Sequence, residues 1–227
     1  MMTALLDFLF PPRCPGCREY REDWGDWCPV CEKKYVARRL FLESGSPVEA
    51  VMCLALYEGT VKELLHRLKF RRDESVLPYL TRLMERAWSP ELPAGDPLER
   101  FLAYLGDGPV FLPVALHPVR EKERGFNQTV LLWRDFLRGK GFRWLEALER
   151  RKETKPQYSL TKQEREENVR GAFALREECR PQLKGRPVVL VDDIYTSGAT
   201  LKACARALRG TGAERVLALT LATGRAL

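Results

Sequence analysis

From residue 48 onward, apolar stretches of two kinds alternate along the chain. Val48 to Tyr57 (VEAVMCLALY) is a nearly unbroken apolar run ending at Glu58-Gly59, and it reads as a strand. Thr60 can then cap a helix that sets Leu64, Leu65 and Leu68 on one side. A second helical pattern covers about Leu77 to Trp88, and Ser89-Pro90 to Pro97, with Pro93 and Gly95, reads as a surface loop. Val110 to Val114 (VFLPV) is a short buried strand after the Gly106-Asp107-Gly108-Pro109 turn, and a helical pattern from Phe126 to Leu137 stops near Gly139. A polar, charged region from Arg150 to Arg170 precedes a short strand, Ala172 to Leu175. The last units are a strand at Val188 to Val191, a helix at Gly198 to Arg209 and a strand at Val216 to Leu221. This alternation predicts an α/β fold with a mainly parallel sheet and helices on both faces.

The first 45 residues break that pattern and predict a separate small unit, residues 1–45, ahead of a main domain at 46–227. Met1 to Phe10 reads as a short packing helix that stops at Pro11-Pro12. Cys14-Pro15-Gly16-Cys17 and Cys28-Pro29-Val30-Cys31 are two knuckles, each with a tight turn that lets two thiolates reach one ion. Four sulfur ligands leave no open position for a catalytic water, so the expected metal is a structural zinc. Two disulfides are the competing pairing, disfavoured by the cytosolic reading below. Trp24, Trp27 and Tyr35 can build a small core that the metal completes. Such a ribbon either docks on a partner or nucleic acid or staples a terminus to the main domain, and the residues alone favour neither. Cys53, Cys179 and Cys204 lack a partner pattern and read as small buried residues.

Composition narrows the class without choosing a function. With 45% hydrophobic and 30% charged residues in 227, the chain reads as globular, and no apolar run approaches the roughly 20 residues that cross a bilayer. The N-terminal segment lacks a basic start and a small-residue cleavage site, so a cytoplasmic location is expected. A net charge of +7 favours phosphorylated or polyanionic partners, nucleic acid among them.

Val188 to Thr200 (VVLVDDIYTSGAT) carries the chemistry: an apolar strand, two carboxylates, then a hydroxyl-rich turn opening a helix. In an open parallel sheet ligands sit at the carboxyl ends of strands, where helix N-termini offer free N–H groups and partial positive charge to a phosphate. Thr196, Ser197 and Thr200 add hydroxyl donors, and Gly198 and Ala199 keep the backbone accessible. Asp192 and Asp193 can each accept two hydrogen bonds, which suits the cis-diol of a ribose. Together these needs describe a ribose 5-phosphate site.

All thirteen positions resemble the signature with which type I phosphoribosyltransferases bind 5-phosphoribosyl-1-pyrophosphate (PRPP). Leu65 to Phe70 (LHRLKF), His117 to Arg120 with Arg124 to Gln128, Asn168 to Phe173 (NVRGAF), and Leu9 to Pro12 before the knuckles resemble the ComF (ComFC) family of competence proteins, across nearly the whole chain. That resemblance implies a type I phosphoribosyltransferase-like domain behind a four-cysteine zinc ribbon, and cytoplasmic handling of incoming single-stranded DNA in natural transformation, beside a helicase-like partner. It places Ala115 to Pro118 near the pyrophosphate, with His117 as a structural or hydrogen-bonding group and Arg120, Arg124 and Asn127 reaching the pyrophosphate or a second substrate. It places Arg150 to Arg165 as a mobile lid, with Lys155 and Gln157 as ligand contacts; a solvated loop is the alternative. Two functions follow. One is a DNA-handling protein that retains the PRPP pocket, with Trp24, Trp27, Tyr158 and Tyr195 as base platforms; the other is an active Mg2+-dependent phosphoribosyltransferase on an unidentified acceptor.

Overall fold

The computed structural model describes residues 11–89, 92–154 and 161–225. Six strands form one sheet: β1 (Val36–Leu42), β2 (Ala50–Leu56), β3 (Val110–Pro113), β4 (Arg143–Trp144), β7 (Pro187–Tyr195) and β8 (Arg215–Thr223), in the order β1-β2-β8-β7-β3-β4. All neighbours are parallel except the edge pair β1 and β2. Two further strands, β5 (Leu148–Arg150) and β6 (Phe173–Leu175), pair antiparallel in a separate ribbon.

The central strand explains its own composition. β7 lies between β3 and β8, so both faces of its Val188 to Val191 stretch are covered and that stretch is apolar throughout. Val189 and Val191 enter one core with Leu64, Leu65 and Leu68, whereas Val188 and Leu190 enter the other with Leu201 and Cys204. The first core is built from α2 (Gly59–Arg71), α3 (Leu77–Ala87), α4 (Pro97–Leu105) and α6 (Gln128–Gly139). The second lies under α8 (Ala199–Ala207) and the β5–β6 pair, with α7 (Lys162–Asn168) packed beside α8. Cys53, Cys179 and Cys204 are all buried here, as expected of small apolar residues.

Three local features depart from the sequence expectation. Thr60 does not cap α2: the N-cap is Glu58, with no side-chain bond, and the hydroxyl of Tyr35 instead accepts from the Thr60 N–H at 3.3 Å. A group supplied by the ribbon thus performs the cap. Between the expected Ser89 to Pro97 loop and the Gly106 turn stands a further helix, α4, started by Asp96, whose carboxylate accepts from the Leu98 N–H at 2.8 Å, and by Pro97 at its first position. After β3, α5 (Pro118–Arg124) begins at His117-Pro118 and ends at Gly125, whose φ of +88° is a conformation glycine adopts without strain.

The N-terminal unit is joined to the sheet. α1 (Pro29–Tyr35) leads directly into β1, so residues 36–42 supply an edge strand of the main sheet. Trp27 and Tyr35 are buried in the same core as Leu64 and Leu80, and the Trp27 indole donates to the Tyr79 carbonyl at 2.8 Å. Ion pairs Asp26–Arg82 (2.8 Å) and Glu32–Arg86 (3.4 Å) fasten its rim to α3. Of the two roles weighed for the ribbon, this packing is that of a staple. Among the described residues no helix is long and apolar enough to cross a membrane.

Candidate functional site

Asp192 and Asp193 stand near the carboxyl end of β7, where the sheet opens onto the N-terminus of α8. Asp193 is buried, 3% exposed, and its Oδ2 lies 2.7 Å from the Nζ of Lys69 at the end of α2. Asp192 faces differently. Its Oδ1 accepts the Asp193 N–H at 2.9 Å and the Thr129 hydroxyl at 3.4 Å, and its carbonyl accepts the Trp133 indole N–H at 3.0 Å. Burial, then repulsion from Asp193, pushes the Asp192 carboxyl up to about 7, with Lys69 pulling the other way.

The turn that follows is backed by a polar cluster. Gly198 has φ +76° and is the N-cap of α8; a Cβ there would lie 3.1 Å from the Tyr195 ring, so the position favours glycine on two counts. Ser197 Oγ accepts the Ala199 N–H at 3.4 Å, Thr196 is exposed, and Thr200 lies in the first turn of α8. Tyr195 points away from solvent, 1% exposed, and its hydroxyl donates to Glu43 Oε1 at 2.5 Å. Glu43 also pairs with Arg225 (2.8 Å) and Lys202 (3.3 Å). Burial opposes ionisation of Glu43, but the hydrogen bonds from Tyr195, Arg225 and Lys202 hold its carboxyl down at about 2. The loop is therefore anchored through its first aromatic residue to the β1 side of the sheet.

Beside β7, the loop after β3 starts from Val114, whose N–H donates to Val191 O (2.9 Å) and whose carbonyl accepts the Asn127 amide (3.1 Å). This puts Ala115 to His117 next to the Asp pair. His117 is the N-cap of α5, and its buried Nδ1 meets no hydrogen-bonding group among the described residues. Arg124 is drawn by the charge of Asp193 and bonds Gln128; Arg150 is drawn by Asp192, bonds Thr154 and stacks 5.2 Å from the Phe173 ring centroid. Arg120 lies close enough to repel both arginines. Lys69 thus contacts Asp193, Arg124 and Arg150 lie within electrostatic reach of the Asp pair, and Arg120 lies near both arginines, a local excess of cations that suits a multiply charged anion.

The structure brings Asp192, Asp193, Thr196, Ser197, Gly198, Ala199, Thr200, His117 and Arg120 to one end of the sheet. Lys155, Gln157 and Tyr158 lie outside the described residues. Trp27 and Tyr195 are corrected as base platforms, because burial at 5% and 1% closes both faces of each ring; Trp24 is 53% exposed. Lys69 and Trp133 were missed: in sequence Lys69 is one charge in a basic run, and Trp133 one apolar residue of a helix.

The four cysteines of the knuckles form a second centre. Their Sγ atoms lie within 4.8 Å of one another, compatible with the ~3.8 Å edges of a tetrahedron with Zn–S bonds of about 2.3 Å. Backbone N–H groups of Cys28 and Cys31 point at Cys14 Sγ and Cys28 Sγ, both at 3.4 Å, the pattern that stabilises thiolates. A Cβ on Gly16 would come within 2.7 Å of Cys31 Sγ, so the knuckle closes only over glycine. None of the seven cysteines is disulfide-bonded, and the cluster of four fits one structural zinc.

Fold and site together define a phosphoribosyltransferase-domain protein carrying a cysteine-ligated zinc module. Residues 141–227 match the phosphoribosyl transferase domain, and residues 5–53 the double zinc ribbon domain. The chain is 30% identical over 215 residues to the DNA utilization protein YhgH of Escherichia coli O6:H1, covering 89% of this chain and 86% of that one. It is 27% identical over 213 residues to competence protein F of Haemophilus influenzae, and 29% over 233 to competence protein ComFC of Bacillus subtilis, with coverages of 89% and 86%, and 94% and 86%. The chain belongs to this ComF family.

Proposed function

We propose that the chain binds PRPP, or a related ribose phosphate, at the end of β7 and handles incoming single-stranded DNA in the cytoplasm during natural transformation. The observation that carries the pocket is the placement of Asp192 and Asp193 directly before the Gly198-capped N-terminus of α8. The 5-phosphate takes the N–H groups and hydroxyls of Thr196 to Thr200, and the carboxylates accept from the ribose hydroxyls. Lys69 holds the Asp193 carboxylate through their ion pair until the ribose arrives, and the pyrophosphate is assigned to His117, Arg120 and Lys155. Mg2+ entering with PRPP supplies charge neutralisation at the pyrophosphate. Support for the DNA role comes from the relatives, which are named DNA utilization and competence proteins, and from the net charge of +7. A helicase-like competence protein is the partner this reading assigns.

A second reading, an active Mg2+-dependent phosphoribosyltransferase with an unidentified acceptor, is favoured by the intact Asp pair and the cations within electrostatic reach of it. In that case the same residues hold PRPP while a nucleophile displaces pyrophosphate at C1.

Calorimetric titration of PRPP with Mg2+ into zinc-loaded protein, repeated with a single-stranded oligonucleotide bound, tests the pocket. Micromolar binding is expected, lost in the double variant Asp192→Asn with Asp193→Asn while the thermal transition survives. Unchanged affinity in that variant refutes the assigned roles, and release of pyrophosphate on adding an acceptor selects the second reading.

A further inference from the structure

Large apolar side chains that remain exposed are few among the described residues: Tyr20, Trp24, Val30, Leu42, Phe70 and Val119. Four of these belong to the ribbon and the edge strand that follows it. The other two, Phe70 on α2 and Val119 on α5, flank the cations of the Asp pair. Phe70 directly follows Lys69, the residue that reaches Asp193, but its own ring turns outward with 56% exposure. His66, one helical turn earlier and also exposed, lies against it with ring centroids 4.5 Å apart and planes inclined by 39°. The Arg124 guanidinium stands 6.0 Å from the Phe70 centroid.

The backbone around this pair is shaped to present it. Arg72 ends α2 in the left-handed conformation, φ +53°, which costs a non-glycine residue roughly 1 kcal/mol. In that conformation its guanidinium bonds the Glu123 carbonyl, which ties the end of α2 to α5. A surface aromatic pair on an isolated helix would need no such tie.

We infer that Phe70, backed by His66 and Arg124, is a stacking platform for an unpaired base of single-stranded DNA, with the exposed Arg71 beside it for the phosphates. The inference rests on the reading that the chain handles single strands, and adds where a base is held. An aromatic face with cations beside it is the arrangement by which single-strand binders hold bases without reading sequence, and duplex DNA, whose base faces are stacked internally, cannot use it. The platform borders the Asp pair, so a strand lying on it passes the mouth of the ribose pocket.

The test is fluorescence anisotropy of a labelled thymidine oligomer of about 12 nucleotides on the zinc-loaded full chain, across a salt series. Phe70→Ala is expected to weaken binding by about 5- to 150-fold, the range of one lost base stack, with an unchanged salt slope because no charge is removed. Phe70→Trp should restore it. Arg71→Ala should instead flatten the slope by about one phosphate. An otherwise identical oligomer with abasic sugars should bind wild type as weakly as the normal oligomer binds Phe70→Ala. Equal affinity of wild type for normal and abasic oligomers overturns the platform while leaving DNA binding standing; no binding of either at low salt overturns the DNA reading itself. Free thymidine monophosphate displacing the oligomer at equal concentration reassigns the ring to a mononucleotide and overturns the strand.

Discussion

Lys69 supplies the sharpest test of the site's electrostatics. Its Nζ lies 2.7 Å from Asp193 Oδ2, with the two side chains 18% and 5% exposed. Replacing Lys69 by Met keeps the aliphatic stem and leaves a buried carboxylate without its counter-ion. Breaking a buried pair on one side costs about 3–5 kcal/mol. Arg124 also attracts Asp193 and Lys69 is not fully buried, so the low end, about 3 kcal/mol, is expected. For a chain of this size that corresponds to a fall in Tm of roughly 6–12 °C. Asp193→Asn removes the stranded charge, so the double variant Lys69→Met with Asp193→Asn should recover most of the loss. Thermal and urea unfolding of wild type, both single variants and the double variant, with zinc held constant, completes the cycle. A coupling energy below about 0.5 kcal/mol would mean that the pair is no more than a surface contact and would refute the reasoning.

Asp192 gives a pH test. Its carboxyl, raised to about 7 by burial and by Asp193, holds a proton more tightly in the folded chain than in the unfolded one, so that stability is complete below about pH 4 and lost as pH rises through 7. Asp192→Asn mimics the protonated form and should gain about 1–2 kcal/mol on wild type between pH 5 and pH 8 after allowance for partial exposure; denaturant midpoints at both pH values measure it, and a constant difference rejects the shift. Elemental analysis of purified protein should find one zinc per chain, a result that a content near zero would sink, and Gly16→Ala should lower it because the new Cβ meets Cys31 Sγ. Tyr35→Phe removes the hydroxyl that caps α2 and should cost about 1 kcal/mol in thermal unfolding without altering zinc content; loss of the metal as well would show that the hydroxyl holds the knuckle instead.

Local spacing determined much of this protein. Two C-x2-C knuckles specify a metal cage because only neighbouring thiolates with a tight turn between them can share one ion, and the Val188 to Thr200 run specifies strand, carboxylates and the glycine-capped turn because each depends on adjacent residues. The unbroken apolar run Val188 to Val191 foretold a strand covered on both faces. The helices α4 and α5 were less legible: the Asp96-Pro97 and His117-Pro118 starts are brief, and their surroundings read as loop. What tertiary structure alone decided are pairings between residues far apart in the chain. Lys69 finds Asp193 across 124 positions, Glu43 fixes Tyr195 from the edge strand's end, and the Tyr35 hydroxyl supplies a cap that Thr60 does not. Nothing in a basic run, an acidic loop residue or a tyrosine between lysine and valine marks such a partner, because the energy of a buried charge or an orphan N–H depends on what the fold packs against it.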